Sequence, residues 1–308
     1  MSKSCIDDFS RRLRWDEIDP AWVRRLVELA REEDLAGGGL LERAEHDGDA
    51  STESVIQGGE GRARLVARKQ MVVAGLPIVQ CVFDVYESLG SVTLCPGRAD
   101  SDLVQAGETI AELQGARAAI ITAERVLLNF LQRLSGVATA TRLYVDALGG
   151  SSTRLLDTRK TTPGYRMLEK YAVACGGGWN HRLGLYDRIM LKDNHLAAAG
   201  ATTGARLAAA VRTARERRPD LGIEVEVDAL EQIPPVLDAG ADVIMLDNFS
   251  NERLVEAISL IGDDALTEAS GGITLERLPS LAGLGLDFIS TGATVHQAPW
   301  VDIGLDWE

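Results

Sequence analysis

A repeated pattern of apolar segment, polar turn and helix begins at residue 154 and continues almost to the end of the chain. The apolar segments are short and rich in Ile, Val, Leu and Met, and they read RLLDT, DRIMLK, GIEVEVD, ADVIMLD, ALTEAS and LDFIST. Helical patterns lie between them, near residues 164–175, 197–218, 229–239, 250–261 and 275–283. Such alternation predicts a parallel sheet that is buried on both faces. Six units of this kind favour a closed or nearly closed α/β barrel over an open doubly wound sheet.

The first part of the chain follows a different pattern. Asp19 and Pro20 predict the start of a helix, glycines from residue 37 would end it, and its expected apolar face consists of Trp22, Leu26, Leu29 and Ala30. Residues 62–118 contain short β-rich segments, and LVQAGETIAELQG among them is typical of a hairpin. The overall class is therefore α/β. We predict a sandwich-like α+β domain over residues 1–118 and a barrel domain over residues 119–293, with the tail 294–308 packing on the first domain.

A long helix is predicted between these two regions, beginning at Thr122 with the sequence TAERVLLNFLQRLSGVATATRLYVDAL. Leu127, Leu131 and Leu134 form one apolar stripe, and a second stripe consists of Val126, Phe130 and Val137. A helix that is apolar over so much of its surface is buried or is covered by a partner subunit. Arg125 would lie in the first turn, where the helix dipole disfavours a cation.

The composition narrows the classes of function. The chain of 308 residues has a formal net charge of −14, with 45% apolar and 25% charged residues. The excess of acid argues against binding to nucleic acid or to an anionic membrane surface. No apolar run approaches the length of a membrane span, and the segment MSKSCIDDFSRRLRW lacks the apolar core of a signal peptide. We therefore expect a cytoplasmic enzyme whose four scattered cysteines are free thiols.

Polar groups follow each predicted strand of the barrel. Chemistry in such barrels lies at the carboxyl ends of the strands. Any one of these groups is compatible with an ordinary polar turn, but six in register indicate a site. In chain order they are residues 157–160, residues 192–195, Glu226 with Asp228, residues 247–248, residues 270–272 and residues 290–293.

The groups differ in the chemistry that they support. Glu226 and Asp247 are suited to coordinating Mg²⁺ or to stabilising a cationic transition state. The small residues Ser270, Gly271 and Gly272, like Thr291, Gly292 and Ala293, have the form of phosphate cradles, in which backbone N–H groups approach a phosphate. Arg159, Arg182 and Lys192 are suited to clamping carboxylates. The implied ligand carries carboxylates and phosphates and binds with magnesium.

Several longer motifs carry a resemblance to a known family. They occur in this order: TAERVLLNFLQRLSGVAT, LLDTRKTTPGYR, YAVACGGGWNHRLGLYDRIMLKDNH, EVEVD, AGADVIMLDNF, SGGIT and DFISTGATVH. Together they resemble the quinolinate phosphoribosyltransferases, also called carboxylating nicotinate-nucleotide pyrophosphorylases. The resemblance implies an α/β N-terminal domain, an incomplete α/β barrel and a homodimer. It also implies a pentosyltransferase of de novo NAD biosynthesis, which converts quinolinate and 5-phosphoribosyl-1-diphosphate to nicotinate mononucleotide, pyrophosphate and CO₂ with Mg²⁺.

The resemblance also implies roles for individual residues. Arg125, Arg159, Arg182 and Lys192 would hold the quinolinate carboxylates, Arg125 being supplied by the neighbouring subunit, and His181 would line the same pocket. Lys160 would contact the diphosphate side of the other substrate, and Thr158 would also bind substrate. Glu226 and Asp247 would act through magnesium and the ribose. The two cradles would hold the 5-phosphate, with His296 nearby.

Two alternatives remain open at this point. One is a phosphoribosyltransferase of the same fold that acts on another base, such as nicotinate. The other is a non-catalytic barrel that binds a phosphosugar. Binding alone needs the cradles and the cations but not the carboxylates Glu226 and Asp247, so the sequence favours an enzyme.

Overall fold

The computed structural model describes residues 5–308, so the first four residues of the segment used in the signal-peptide argument lie outside it. Its strands are β1 (Glu60–Ala67), β2 (Met71–Val72), β3 (Val92–Pro96), β4 (Leu103–Val104), β5 (Thr109–Ala116), β6 (Arg154–Leu156), β7 (Ile189–Leu191), β8 (Ile223–Val227), β9 (Val243–Asp247), β10 (Leu266–Ser270), β11 (Phe288–Ser290) and β12 (Ile303–Trp307). Its α-helices are α1 (Pro20–Ala36), α2 (Ala50–Val55), α3 (Leu76–Val85), α4 (Arg117–Ala147), α5 (Arg166–Cys175), α6 (Asp193–Ala198), α7 (Gly204–Arg217), α8 (Ile233–Asp238), α9 (Asn251–Ile261), α10 (Leu278–Leu281) and α11 (Ala293–His296). None of these described helices is both long and apolar enough to cross a membrane.

The chain divides into two compact units. One, the barrel unit, contains the described residues up to Arg12, residues 141–166 and residues 177–297. The other, the antiparallel unit, contains residues 13–140, 167–176 and 298–308. The antiparallel unit therefore extends beyond the predicted limit at residue 118. The helix α4 begins at Arg117, and its residues up to 140 belong to this unit.

The helix α4 differs from the prediction at its start. It begins at Arg117 rather than at Thr122, so Arg125 lies more than two turns inside it. The inference that Arg125 occupies the unfavourable first turn is therefore wrong. Both predicted apolar stripes, including Leu131 and Phe130, are buried within the chain itself, so they need no partner subunit to cover them.

The antiparallel unit contains a four-stranded sheet in the order β12-β1-β5-β3. The tail contributes its edge strand, with Ala63 of β1 opposite Trp307 of β12. The predicted hairpin is wrong, because β5 pairs with β1 and β3, whereas β4 pairs with β2. The strand β5 thus forms a long ladder with β1 instead of the predicted hairpin within LVQAGETIAELQG.

The helix α1 has the predicted ends but not the predicted face. Asp19 caps its start by accepting a hydrogen bond from the amide of Ala21 at 2.9 Å, and Gly37 ends it in the left-handed conformation. The buried face consists of Val23, Val27 and Leu35. Trp22 and Leu29, which were assigned to the core, are 41% and 59% exposed.

The barrel unit contains the six predicted parallel strands in the order β6-β11-β10-β9-β8-β7. Among the described residues the outer strands β6 and β7 do not pair with each other, so the sheet is an incomplete barrel. Trp179 instead forms a bridge with Leu156 of β6, and Asn180 forms a bridge with Arg11. The predicted fold class, with a parallel barrel and an antiparallel N-terminal sheet, is confirmed.

Side chains alternate between the two faces of these strands, as strand geometry requires. The outer face packs against the helices α7 to α10 through residues such as Val225, Ile244 and Ala269. The inner face carries a separate apolar cluster, here called the apolar plug, which consists of Phe9, Leu156, Val243, Leu266 and Phe288. The N-terminal segment thus fills the inner face of the barrel near the start of the strands.

Phe9 is the member of the apolar plug that comes from outside the strands. It is 4% exposed, the guanidinium of Arg188 lies 4.9 Å from its ring centre, and a Cβ on Gly222 would lie 2.6 Å from the ring. This close packing indicates that no other group could replace the ring without rearrangement.

We predict that Phe9→Ala lowers the free energy of unfolding by about 3–5 kcal/mol, since it leaves a cavity in the plug. Chemical denaturation followed by circular dichroism would measure this. Val255→Ala, at an exposed position of α9, is the control and should change stability by less than about 0.5 kcal/mol. A loss below about 1 kcal/mol for Phe9→Ala would contradict the assignment of the plug.

Candidate active site at the carboxyl ends of the parallel strands

Two adjoining cavities lie at the carboxyl ends of the barrel strands. The first cavity has a volume of about 450 Å³ and the second about 540 Å³. They share Thr158, Lys160, Ser270, Gly271 and Ser290, so a ligand with two parts is able to occupy both. A third cavity of about 510 Å³ lies in the antiparallel unit and contains none of the groups at the strand ends.

The structure brings together the predicted site residues of the barrel unit. Those in the first cavity are Thr158, Arg159, Lys160, His181, Arg182, Lys192, Glu226, Asp247, Ser270 and Gly271. The second cavity adds Gly272, Thr291, Gly292, Ala293 and His296. Arg125 is in the antiparallel unit, where its side chain is exposed on α4. The placement shows a common site for fifteen residues, while the role of each residue stays a prediction.

Two guanidinium groups of like charge meet in the first cavity. Arg182 is only 8% exposed, and its pKa is lowered first by burial and then by the positive charge of Arg159. The Nε atom of Arg159 is itself buried and has no hydrogen-bond partner among the described residues. Because buried cations need compensation, this pair is suited to binding an anion with more than one carboxylate.

The two carboxylates of the first cavity each have one oxygen engaged by the protein. Lys192 Nζ lies 2.6 Å from Oε2 of Glu226, and the side-chain amide of Asn248 donates to Oδ2 of Asp247 at 2.7 Å. Asn248 adopts the left-handed conformation, with a φ of 58°. The other carboxylate oxygens have no hydrogen-bond partner in the described chain, so they are available to a metal ion or to a hydroxyl group.

Close packing requires glycine at two points of the cradles. A Cβ on Gly271, whose φ is 78°, would lie 2.3 Å from the side-chain oxygen of Asn248 and 2.7 Å from Oδ1 of Asp247. A Cβ on Gly292 would lie 2.7 Å from Cδ of Lys160 and 2.8 Å from the His296 ring. The absence of side chains therefore lets these charged and polar groups converge on the two cavities.

Buried hydrogen bonds tie together the two loops that carry the cations. Asp157 is 1% exposed and accepts hydrogen bonds from the side-chain amide of Asn180 at 2.9 Å and from the backbone amide of His181 at 2.8 Å. Arg166 donates to the hydroxyl of Thr161 at 3.0 Å. The loop after β6 is thus fixed to the segment that presents His181.

Comparisons with known proteins identify the family. A model of the quinolinate phosphoribosyl transferase C-terminal domain matches residues 137–306, and a model of the N-terminal domain of the same family matches residues 49–135. The chain belongs to the quinolinate phosphoribosyl transferase family. The N-terminal match covers residues that precede the first of the quoted motifs, which begins at Thr122.

Individual relatives of the chain match it over most of its length. A protein of Bacillus subtilis (strain 168) named as a probable carboxylating nicotinate-nucleotide pyrophosphorylase is 44% identical over 260 residues, which cover 84% of this chain and 88% of that protein. A carboxylating nicotinate-nucleotide pyrophosphorylase of Mycobacterium leprae (strain TN) is 38% identical over 262 residues, which cover 84% of this chain and 90% of that protein. The solved structure of the nicotinate-nucleotide pyrophosphorylase of Francisella tularensis has a TM-score of 0.85 and 34% identity, and covers 97% of this chain and 100% of its own.

A buried polar cluster lies beside the first cavity. The sequence predicted its histidine but not its two glutamates. Its members are His181, Glu224 and Glu268, which are 5%, 0% and 0% exposed. His181 Nε2 lies 3.1 Å from Oε2 of Glu224 and 3.5 Å from Oε2 of Glu268. The sequence signal for the two glutamates is a carboxylate inside each of the buried strands IEVEV and LTEAS.

The groups around His181 act in opposite directions on the protonation of its ring. Burial disfavours the charged ring, whereas the attraction of Glu224 and Glu268 favours it and raises the pKa of His181. Against this, the backbone amide of Arg182 donates to Nδ1 at 2.7 Å. The amide contact decides the state in this conformation, because a second ring hydrogen on Nδ1 would meet the amide hydrogen. The ring therefore carries one proton, on Nε2, directed at the two glutamates.

This proton also bears on metal binding. One ligand atom from each of His181, Glu224 and Glu268 lies within 4.8 Å of the others, a spacing that suits a metal ion. A hydrogen on Nε2 removes the lone pair that a metal needs, and Arg188 Nη1 already donates to Oε2 of Glu224 at 3.0 Å. We therefore assign no metal to this cluster.

Proposed function

We propose that the chain transfers the phosphoribosyl group of 5-phosphoribosyl-1-diphosphate to quinolinate with decarboxylation, giving nicotinate mononucleotide, pyrophosphate and CO₂ in de novo NAD biosynthesis. One observation carries the proposal: a cavity that contains both close guanidinium groups and two carboxylates adjoins a second cavity bordered by glycine-rich turns. The names of the relatives from Bacillus subtilis and Mycobacterium leprae support the same reaction.

The cationic side of the first cavity suits quinolinate, which carries two adjacent carboxylates. Arg159 and Arg182 are close enough for the charge of one to lower the pKa of the other, and Lys192 lies in the same cavity. Pairing these cations with two carboxylates would offset their mutual repulsion. In the proposed complex they hold the ring so that its nitrogen faces the anomeric carbon of the second substrate.

The second cavity suits the phosphorylated sugar. The turns at Gly271 and Gly292 allow backbone amides to approach the 5-phosphate, and His296 lies on the same cavity. Lys160 and Thr158 line both cavities, which is where the diphosphate would lie between the sugar and the base. Lys160 would neutralise part of the charge that builds up on the leaving pyrophosphate.

The chemistry requires positive charge to develop on the sugar and negative charge to leave it. Cleavage at the anomeric carbon passes through an oxocarbenium-like state, as in glycoside cleavage, and the carboxylates Glu226 and Asp247 favour that positive charge. After attack, the quaternised ring nitrogen stabilises the negative charge left at C2 when CO₂ departs. A proton then completes C2, and the cations bound to the remaining 3-carboxylate hold the ring during this step.

Magnesium is the cofactor that this donor set fits. Two carboxylates with oxygens not engaged by the protein, beside a cavity for phosphates, match the preference of Mg²⁺ for a few carboxylates plus substrate oxygens. Glu226 and Asp247 would hold the ion, directly or through water and the ribose. When bound, the ion would supply charge neutralisation for the pyrophosphate. The cytoplasmic location expected from the sequence stays a prediction.

We predict that the protein forms nicotinate mononucleotide from quinolinate but not from nicotinate. A site whose cations are arranged to pair with two carboxylates should bind a ligand with one carboxylate poorly, because it leaves a cation such as the buried Arg182 without compensation. The measurement is nicotinate mononucleotide and pyrophosphate release with each base at equal concentration. Comparable turnover of nicotinate would favour the alternative base, and binding of the phosphosugar without pyrophosphate release from either base would favour a non-catalytic barrel.

We predict that activity requires Mg²⁺ or Mn²⁺ and that Asp247→Asn lowers kcat far more than it changes the affinity for quinolinate. The reason is that a carboxylate facing the sugar interacts mainly with the transition state. Steady-state kinetics with metal-free enzyme, and quinolinate titration of the variant, would measure both effects. Undiminished turnover in EDTA would contradict the role given to Glu226 and Asp247.

We further propose that the protein is a homodimer in which Arg125 serves the site of the neighbouring subunit. Arg125 is an exposed cation on α4, next to the buried apolar residues Val126 and Leu127. The sequence resemblance assigns it to quinolinate binding, and Lys192 belongs to the cavity of the barrel unit. The two residues would then reach one site from opposite subunits.

We predict that Arg125→Ala and Lys192→Ala are each nearly inactive but restore activity when mixed. Loss of either cation should cost about 2–5 kcal/mol of binding to the substrate carboxylates. After subunit exchange at equal amounts, half of the dimers are mixed, and each mixed dimer has one site without a mutation, so about a quarter of all sites should recover. If exchange is demonstrated with tagged subunits and no activity returns, the two residues serve the same subunit's site.

A further inference from the structure

We propose that Glu268 is a positioning residue for the base: with Glu224, it fixes the ring of His181, and the ring in turn fixes the backbone of Arg182 in the first cavity. The proposal rests on the proposed function, since it assumes that Arg182 contacts the substrate carboxylates. It concerns residues that do not touch the substrate and that act through a side chain that lines the cavity.

The position of Glu268 places it directly beneath the site. On β10, side chains of alternate residues share one face, so Leu266, Glu268 and Ser270 follow one another along the inner face. Leu266 belongs to the apolar plug, whereas Ser270 lines the first cavity. Glu268 is therefore held between the plug below and the cavity above, at the level of Met245 on the neighbouring strand.

The surroundings of Glu268 do not stabilise its carboxylate. The side chain is 0% exposed, and neither of its oxygens accepts a hydrogen bond from any described residue. The ring of His181 lies near it, with Nε2 at 3.5 Å from Oε2. Burial of a carboxylate without hydrogen bonds is strongly unfavourable, so Glu268 is not placed there to stabilise the fold.

Glu224, in contrast, has the partners expected of a structural carboxylate. It accepts a hydrogen bond from Arg188 Nη1 at 3.0 Å, and Nε2 of His181 lies 3.1 Å from the same oxygen. Arg188 in turn donates to the backbone carbonyl of Phe9. Burial alone would raise the pKa of Glu224, but its contacts with His181 and Arg188 hold that pKa well below the usual range. The contrast makes Glu268 the member of the cluster whose presence needs a functional reason.

The orientation of the His181 ring supplies that reason. Nδ1 accepts the backbone amide of Arg182 at 2.7 Å, while Nε2 faces both glutamates. Rotation of the ring by half a turn would replace both nitrogens by carbon atoms and would break the contact with the amide. Two carboxylates attract the Nε2 hydrogen more strongly than Glu224 alone would. Glu268 therefore disfavours this rotation and keeps the backbone of Arg182 in place.

Both ring nitrogens of His181 are thus engaged inside the protein. His181 lines the first cavity, and its role is to present Arg182 and not to donate a hydrogen bond to the base. A displacement of a positioned charged group by a fraction of an ångström is enough to weaken binding markedly. Glu268 should therefore influence the affinity for the base while leaving the phosphosugar unaffected.

The test compares Glu268→Met with Leu266→Met, a matched change at the next inward-facing position of the same strand. For Glu268→Met we expect the dissociation constant and the KM for quinolinate to rise about tenfold. The KM for 5-phosphoribosyl-1-diphosphate should stay within about twofold of the wild type, and the melting temperature should be unchanged or higher, because a buried carboxylate is lost. Leu266→Met, a change of similar volume in the plug, should leave the quinolinate constants within about twofold.

A third variant tests whether an acceptor at this position is what matters. Glu268→Gln keeps an oxygen that can face the Nε2 hydrogen, so its affinity for quinolinate should recover to within about threefold of the wild type. A merely structural role predicts a different result: a lower melting temperature for Glu268→Met, with the loss spread over both substrates. Either that result, or quinolinate binding to Glu268→Met that matches the wild type at equal stability, would overturn the proposal.

The same titrations separate this inference from the proposed function. Calorimetric titration of the wild-type protein with quinolinate comes first, and absence of binding there contradicts the proposed function itself. Binding to the wild type with no difference among the three variants contradicts only the role of Glu268. The expected result is binding to the wild type, weak binding to Glu268→Met and near-normal binding to Glu268→Gln and Leu266→Met.

Discussion

The inner face of the parallel strands changes from apolar to charged within one step of side-chain alternation. On β10 the sequence passes from Leu266 in the plug to Glu268 in the buried cluster and then to Ser270 at the cavity. On β8, Glu224 and Glu226 make the same transition from the cluster to the cavity. Strand geometry fixes this order, because inward-facing residues must lie two positions apart. The apolar plug excludes water from the side of the charged layer that faces away from the cavity. Its low polarity strengthens the electrostatic interactions within that layer.

The positive groups of the cavity depend on this layer. Arg182 and Arg159 repel each other, and the charge of Arg159 adds to the effect of burial in lowering the pKa of Arg182. The negative charge of Glu224 acts in the opposite direction on Arg182. The carboxylates below thus allow two guanidinium groups to remain close together and largely out of water. A site prepared in this way gains more from an anionic ligand than a solvated pair of arginines would.

The sequence predicted the parts of the molecule in which local pattern and tertiary packing agree. The six strands are rich in apolar residues and are followed by polar residues, so their type, their order in the chain and the convergence of their ends followed from the pattern alone. The two cradles were recognisable because Gly271 and Gly292 follow predicted strands. The cations were recognisable because Arg159 and Lys192 stand out in an acidic chain with few lysines.

The predictions were wrong where the local sequence was compatible with two arrangements and tertiary packing stabilised the other one. In α1, two overlapping apolar stripes were present, and the core selected Val23 and Val27 over Trp22 and Leu29. In the antiparallel sheet, the long partners of β5 replaced a local hairpin. Glu224 and Glu268 were missed for a related reason: a carboxylate within a strand is normally read as a solvent-facing residue, and only a strand with both faces covered makes it a buried one.

The ion pair between Lys192 and Glu226 connects the two halves of the proposed reaction. Lys192 is 41% exposed and Glu226 is 12% exposed, with 2.6 Å between their charged atoms. On the proposed function, Lys192 pairs with a carboxylate of the base, whereas Glu226 faces the ribose and the metal ion. A substrate carboxylate that approaches Lys192 competes with Glu226, and the partner that it displaces is the group required on the sugar side. Because an exposed lysine pairs weakly in water, this exchange needs little free energy, and the same two side chains neutralise each other until the substrates arrive.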